Sequence, residues 1–273
     1  MCDACVMNAV KERMLSRRDF FRTSAAVGAA AAVGITAAPP AMAAGHGGVV
    51  DMTHKLSPDF PTFFGVPGIS MEQQFNFAEH GFNLMNLTIN EHTATHIDAP
   101  LHFSADGGSV DEIPVSDLVI PLCVVDIAAR AAENPDAQVT PEDLRAWIAA
   151  NGDIPDKACI AMYSGWASKS GDAAAYVGND DADVKHFPGF HIEATQMLLE
   201  ETTAAAIAVD TLSLDHGPSA DFATHYAWLP GGRYGIENLA GLDQVPASGA
   251  TLVVGAPNHT GGTGGPARIF AMV

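Results

Sequence analysis

The sequence predicts one mixed α/β domain behind an N-terminal leader. Three observations carry that prediction. Short apolar runs of strand length recur along the chain, residues 118–163 read strand, helix, strand, and a weakly apolar segment behind paired arginines precedes them all. The 273 residues are ample for a packed core, and four cysteines in that length cannot form a disulfide scaffold. With 16% charged and 48% hydrophobic residues the chain is no disordered polyelectrolyte. A formal net charge of −19 argues against nucleic acid as a partner, because no basic surplus exists to neutralise phosphates. The same charge disfavours adhesion to an anionic membrane.

Ser16-Arg17-Arg18-Asp19-Phe20-Phe21-Arg22 stands before a run of small and apolar residues that ends near Ala38. Pro39-Pro40 and the small-x-small triplet Ala41-Met42-Ala43 follow. A charged start, a short weakly apolar stretch and such a triplet describe a signal peptide, and the stretch is too short and too rich in Ala and Gly for a membrane span. The paired arginines with Phe20-Phe21 resemble a twin-arginine signal. Residues 1–43 are therefore read as the signal and 44–273 as the functional domain. The expected location is the periplasm, with no stable membrane insertion after cleavage. Without the leader the chain keeps eight basic and 29 acidic residues. Cys2 and Cys5 form a lone CxxC within the leader, weak evidence for a metal.

Residues 49–56 read as a strand, and residues 82–90 as another with apolar side chains at alternate positions. Residues 118–127, 158–163, 204–209, 251–255 and 269–273 are apolar runs of strand length. Thr140-Pro141-Glu142-Asp143 is a helix start, with a Thr cap, Pro in the first turn and early carboxylates. That helix should run to about Ala150 and end at Asn151-Gly152. A second helix is expected over Ile192–Glu201. Residues 164–188 are polar and rich in Gly and Asp, so they read as a long surface loop able to cover a site.

The densest group of possible metal ligands is Glu91-His92-Thr93-Ala94-Thr95-His96-Ile97-Asp98-Ala99-Pro100-Leu101-His102. His92, His96 and Asp98 are separated by even intervals, which puts their side chains on one face of an extended chain. On a helix Asp98 would be rotated about 240° from His92. The spacing therefore favours a strand, with β-branched Thr93, Thr95 and Ile97 on its other face. Pro100 should end the pairing and leave His102 on a loop nearby. Two imidazoles and a carboxylate on one face suit a borderline divalent cation. The plainer alternative is a solvent-facing strand with one histidine hydrogen-bonded in the core.

His92 to His102 also resembles the HxGTHxDxPxH signature of the cyclase family of metal-dependent hydrolases, which includes bacterial kynurenine formamidase and isatin hydrolase. Further matches follow in order: Asp51-Met52-Thr53-His54-Lys55-Leu56, Ser164-Gly165-Trp166, Phe187-Pro188-Gly189-Phe190, Asp210-Thr211-Leu212-Ser213-Leu214-Asp215, His225, and Gly235-Ile236-Glu237-Asn238-Leu239. The chain departs from the family at Ala94, where Gly is usual, and at Ala208, in a strand that often carries Gly.

The resemblance implies a swivelling β/β/α fold of α/β class. It implies that His92, His96 and Asp98 bind a first metal, that Asp98 reaches a second completed by His225 and Glu237, and that His102 donates and accepts the proton. Phe63, in Phe63-Phe64-Gly65, is the candidate to lie against the substrate ring, with packing in the core the commoner place for a phenylalanine. The cofactor would be zinc or manganese, one or two ions per chain. A bound divalent ion lowers the pKa of its water to about 7 in a favourable site and polarises a carbonyl. An imidazole suits delivery of a proton to a departing nitrogen.

The activity so implied is hydrolysis of a C–N amide bond in a small aromatic substrate. N-formylkynurenine, giving kynurenine and formate, comes first, and opening of the cyclic amide isatin is the alternative. A non-catalytic periplasmic metal-binding protein is the rival from another class. The family resemblance also implies a homo-oligomer, a dimer or tetramer. Other features carry less. Ser164-Gly165-Trp166 lacks the GxSxG frame of a serine hydrolase. The glycine-rich stretch from Gly261 to Gly265 lacks GK[ST] and reads as a turn. Trp166 and Tyr226 are as good packing residues as pocket residues. His54, His80, His186, His191, His216 and His259 have no partner at a defensible spacing. Cys123 and Cys159 read as buried thiols whose pairing the sequence leaves open.

Overall fold

The computed structural model describes residues 48–273; the leader, with Cys2 and Cys5, lies outside them. The chain divides into two units, one of His46–Ser70 with Ile89–Val273, the other described over Met71–Thr88. In chain order the strands are β1 (Val49–Asp51), β2 (Ile69–Phe75), β3 (Leu84–Ile89), β4 (His96–Asp98), β5 (Val119–Asp126), β6 (Gln138–Val139) and β7 (Cys159–Tyr163). Then come β8 (Gly189–Phe190), β9 (Ala206–Val209), β10 (Tyr234–Glu237), β11 (Ala250–Gly255), β12 (Gly264–Pro266) and β13 (Arg268–Met272). Nine of them form one mixed sheet in the order β1-β13-β11-β5-β7-β9-β10-β4-β12. The centre β5-β7-β9-β10 is parallel, and both flanks are antiparallel.

The parallel strands are the continuous apolar runs of the sequence, as strands covered on both faces must be. Their alternate residues sort into two layers. Cys123, Val125, Ile160, Met162, Ile207 and Val209 pack under Leu144 and Trp147 of helix Pro141–Asn151 and Met197 and Leu198 of helix Ile192–Glu201. Leu122, Val124, Cys159, Ala161, Ala206 and Ala208 face the opposite way and share a core with Ile97 of β4 and Ile269 of β13. Those two strands lie towards opposite ends of the sheet, so the sheet curls around this core. A bridge between Thr53 and Leu239 ties the same two ends.

The register pairs Leu122 with Cys159, so Cys123 and Cys159 point to opposite faces and remain free thiols. Helix Pro141–Asn151 starts where expected. Thr140 and Asp143 close a reciprocal capping box, with Thr140 N–H donating to Asp143 Oδ2 at 2.8 Å.

Three expectations change. The first strand is only Val49–Asp51. Within residues 82–90 the strand is β3, paired with β2, and every residue of β3 is exposed, so its alternation buries neither face. Residues 164–188 are not a surface loop throughout. Trp166, Tyr176 and Phe187 are buried with Phe60, Ala94 and Leu212 in a third cluster, and Ala173–Val177 is helical. Three widely spaced aromatic anchors draw an otherwise polar segment inward.

Candidate active site

His96 and Asp98 project from one face of the three-residue strand β4, with Ile97 in the core behind them. His92 reaches the same place by another route than expected. Residues 91–95 are a bend, not a strand, and Ala94 has φ 51°, in the left-handed region. That residue breaks the extended chain, so His92 arrives through a turn held by its own N–H to Asn90 Oδ1. The usual family glycine at this position has its reason here, since glycine adopts that φ without steric cost.

Strand β10 lies antiparallel to β4 and sets Glu237 opposite His96 and Gly235 opposite Asp98. A Cβ on Gly235 would stand 2.7 Å from Leu214 Cδ1 and 3.2 Å from Asp98 Oδ2, so glycine leaves room for the carboxylate. His225 comes from the short helix Ala223–Trp228, entered through Phe222 at φ 50°. Asn238, directly after Glu237, has φ 57°. Ala94, Phe222 and Asn238 all line one cavity. Non-glycine residues held there cost about 1–3 kcal/mol each and persist where function and packing demand it.

The side chains converge tightly. His92 Nδ1 is 2.7 Å and His96 Nε2 3.2 Å from Asp98 Oδ1. His96 Nε2 is also 3.3 Å from Glu237 Oε2. His225 Nε2 lies 3.2 Å from Glu237 Oε1 and 3.8 Å from Asp98 Oδ2. Two groups result, His92-His96-Asp98 and Asp98-His225-Glu237, sharing Asp98, and in each the ligand atoms lie within 4.8 Å of one another.

The outer hydrogen bonds orient these rings. His96 Nδ1 faces the Ala94 carbonyl at 2.8 Å, and His225 Nδ1 faces Asp215 Oδ2 at 2.6 Å. Each acceptor holds a proton on Nδ1, which leaves Nε2 of the neutral ring as a lone pair aimed at carboxylates. Among the described residues, His96 Nε2 and Asp98 Oδ2 are buried without any hydrogen-bond partner. Lone pairs and carboxylates converging in a buried space are stabilised by positive charge between them, a metal ion or a proton on Nε2. The donor set of imidazole and carboxylate suits a borderline divalent metal, and Asp98 is common to both groups.

The electrostatics agree. Burial opposes charge on His96, yet Asp98 and Glu237 carry its pKa up to about 10. His225 is raised to about 10 despite burial, through Asp215, Glu237 and Asp98. Burial works against the Asp98 carboxylate, but the neighbouring histidines hold its pKa well below the usual range. The excess negative charge attracts either protons or metal. His102 behaves oppositely. Its ring stacks on His92 at 3.7 Å between centroids and 19° between planes, and burial pushes its pKa down to about 4, with His92 and His225 adding to the shift. It is a neutral imidazole at pH 7.

These groups open on a cavity of about 350 Å³. Phe63, Phe64, Phe103, Phe222 and Leu212 supply apolar wall, while Thr62, Asn90, Ser213 and Asn238 supply neutral polar groups. His92, His96, His102, His225, Glu237 and Phe63 all line it. Tyr226 is 62% exposed and rests its ring edge on Phe103, and Trp166 belongs to the third core cluster. Sequence reasoning missed Asp215, Phe103 and Phe222. Asp215 ends the motif that begins at Asp210, but nothing local connects it to a histidine on a separate helix. A second cavity, about 380 Å³, borders Asp117, Lys157 and Arg233. There Lys157 pairs with Asp117, and Arg233 donates to carbonyls of Leu198, Leu199 and Thr202.

Residues 50–216 match the family described as "Putative cyclase", and residues 14–34 match the twin-arginine translocation signal sequence. The chain is 29% identical over 242 residues to isatin hydrolase of Roseibium aggregatum, covering 82% of this chain and 91% of that protein. It is 26% identical over 222 residues to kynurenine formamidase of Salinibacter ruber, covering 81% and 95%. The structure of isatin hydrolase A from Labrenzia aggregata bound to benzyl benzoate superimposes with a TM-score of 0.77 at 38% identity, covering 82% of this chain and 93% of that one. With the fold, the convergent ligand set and this extent of match, the chain belongs to the putative cyclase family of hydrolases.

Proposed function

We propose that this chain is an exported, metal-dependent hydrolase that opens the ring of a small, neutral cyclic amide of the isatin type. The observation that carries the substrate class is the cavity wall: four phenylalanines and Leu212, with no charged side chain among the described residues outside the His-Asp-Glu cluster. A planar neutral bicycle fits such a wall by stacking and burial. N-formylkynurenine brings an ammonium and a carboxylate, which need charged or strongly polar partners once out of water. One observation favours that second reading: Lys185 Nζ stands 4.5 Å above the Phe63 ring.

His92, His96 and Asp98 would hold one divalent cation, and Asp98, His225 and Glu237 a second. Such an ion, when bound, supplies Lewis acidity to the amide carbonyl and acidity to water. The protein side chains do the rest. The phenylalanines hold the ring plane. His102, neutral at pH 7 and stacked beside His92, takes a proton as water adds to the amide carbon. It returns that proton to nitrogen as the C–N bond breaks, so the product carries one carboxylate and one free aryl amine. Zinc or manganese, as one or two ions, both suit the ligands.

The expected location is the periplasm after twin-arginine export. We take the chain to be a homo-oligomer, because Met71, Leu84, Met85 and Leu87 of the β2-β3 hairpin expose apolar surface of the kind a second copy covers. Isatin and N-formylkynurenine offered in parallel, with and without chelator, test the reading. Isatin turnover that chelator abolishes and zinc or manganese restores is the expected result. Preferential turnover of N-formylkynurenine transfers the assignment to the arylformamide, and a protein that binds no metal refutes it.

A further inference from the structure

The glycine-rich stretch from Gly261 to Gly265 finds its purpose beside His92. Its end forms strand β12, which pairs Gly264 with Asp98 of β4, and Ala99 N–H donates to the Thr263 carbonyl at 2.9 Å. Val110 N–H donates to the Gly262 carbonyl at 2.9 Å. The backbone around Thr263 is thus clamped on both sides. A Cβ on Gly264 would lie 2.2 Å from the Ile97 carbonyl and 2.8 Å from His92 Cε1. A Cβ on Gly262 would lie 2.2 Å from His259 Nε2 and 2.9 Å from Glu91 Oε1. Only glycine on each side of Thr263 lets that threonine come against the His92 ring.

The contacts made there have one consistent direction. Thr263 Oγ1 lies 2.5 Å from Glu91 Oε2, and Thr263 N–H is 3.2 Å from both oxygens of the same carboxylate. His259 Nε2 reaches Glu91 Oε1 at 2.6 Å from the other side. A carboxylate only accepts, so the single hydroxyl proton of Thr263 is committed to Glu91. The hydroxyl oxygen, 2.9 Å from His92 Nε2, is then left to accept the Nε2 proton. A neutral His92 ring so held keeps Nδ1 as a bare lone pair, and that atom lies 2.7 Å from Asp98 Oδ1.

We infer that Thr263 and Glu91 are positioning residues for the metal centre: through the His92 Nε2–H···Thr263 Oγ1–H···Glu91 relay they fix the His92 tautomer that offers Nδ1 to a divalent cation. The relay does for His92 what the Ala94 carbonyl does for His96 and Asp215 for His225. Partners of this outer kind commonly govern metal affinity by 10- to 100-fold. The inference rests on the proposed metal binding and adds to it which residues outside the ligand set control it.

The test uses the full chain and measures Mn2+ and Zn2+ affinity, each by competition with a chromophoric chelator. Thr263→Val keeps the shape and removes the hydroxyl, so affinity should weaken about 10- to 100-fold. Thr263→Ser restores the hydroxyl and should return affinity to within about threefold of the parent. Glu91→Gln still accepts from the threonine and should fall between them. Melting of the metal-free proteins, read alongside, separates a packing defect from loss of the tautomer, because serine removes the methyl and keeps the relay. Unchanged affinity in Thr263→Val overturns the inference while leaving the metal centre intact. Serine binding as weakly as valine overturns it too. A parent chain that binds neither ion refutes the metal centre itself, and the inference with it.

Discussion

Replacing Asp215 by asparagine is the sharpest perturbation of the second ligand group. Asp215 is 3% exposed, and both of its oxygens accept. Oδ2 takes the His225 Nδ1 proton at 2.6 Å and the His225 N–H at 3.2 Å, while Oδ1 takes the Thr224 N–H at 2.8 Å. An amide has one accepting oxygen. If its NH2 faces His225, the imidazole keeps a hydrogen bond only by moving its proton to Nε2. That atom, 3.2 Å from Glu237 Oε1, then ceases to be a ligand. If the NH2 faces Thr224 instead, two buried donors oppose each other at a cost of about 1–3 kcal/mol. The first orientation also sets the NH2 against the His225 N–H, so either one costs stability, and the tautomer change lowers metal affinity about 10- to 100-fold, which is about 1.4–2.8 kcal/mol. Titration with Mn2+ should show the weakened binding, and turnover at limiting metal should fall by the same factor and recover in excess Mn2+. Wild-type affinity in Asp215→Asn, together with an unchanged melting temperature, would refute the tautomer argument.

Other outcomes follow from the same geometry. His102→Ala should retain metal and lose turnover by about 10²- to 10⁴-fold; equal loss of metal would make His102 a ligand instead of a shuttle. Because burial lowers the His102 pKa to about 4, the fold prefers its neutral ring. Its contribution to stability is complete above the ordinary value of 6.5 and is lost as pH falls through the window towards 4. Denaturant melts of the parent and His102→Gln from about pH 7 to 4 should converge at the acid end, and parallel curves would contradict the shift. Gly235→Ala should cost about 1–3 kcal/mol by overpacking Leu214 and should weaken metal binding through Asp98, measured by thermal melts and ion titration. Asp143→Ala removes the capping box and the Arg130 pair at once and should lower stability by about 1–2 kcal/mol with metal binding unchanged.

Much of the fold is legible in the amino-acid sequence. The apolar runs at 118–127, 158–163 and 204–209 form the parallel centre of the sheet, because strands covered on both faces must be apolar throughout. The Thr140 cap and the helix Ile192–Glu201 depend on contacts within a few residues, which a sequence displays directly. The motif from His92 to His102, with His225 and Glu237 supplied by the family resemblance, names the side chains that the fold gathers around one cavity.

The failures share one cause. Even spacing places His92 on a strand with His96 and Asp98, but a left-handed Ala94, buried in one cluster with Trp166, Phe60 and Leu212 from distant parts of the chain, interrupts it. The segment 164–188 reads as a solvated loop because three buried aromatics are diluted among polar neighbours.

Ligand type, capping, strand character and the address at the N-terminus are decided along the chain, since each depends on neighbours a few residues away. Which strands adjoin is not. The antiparallel pairing of β10 with β4 brings Glu237 to His96, and the pairing of β12 with β4 brings Thr263 to His92. Those registers are set by side chains packing across the whole curled sheet, and only the folded chain expresses them.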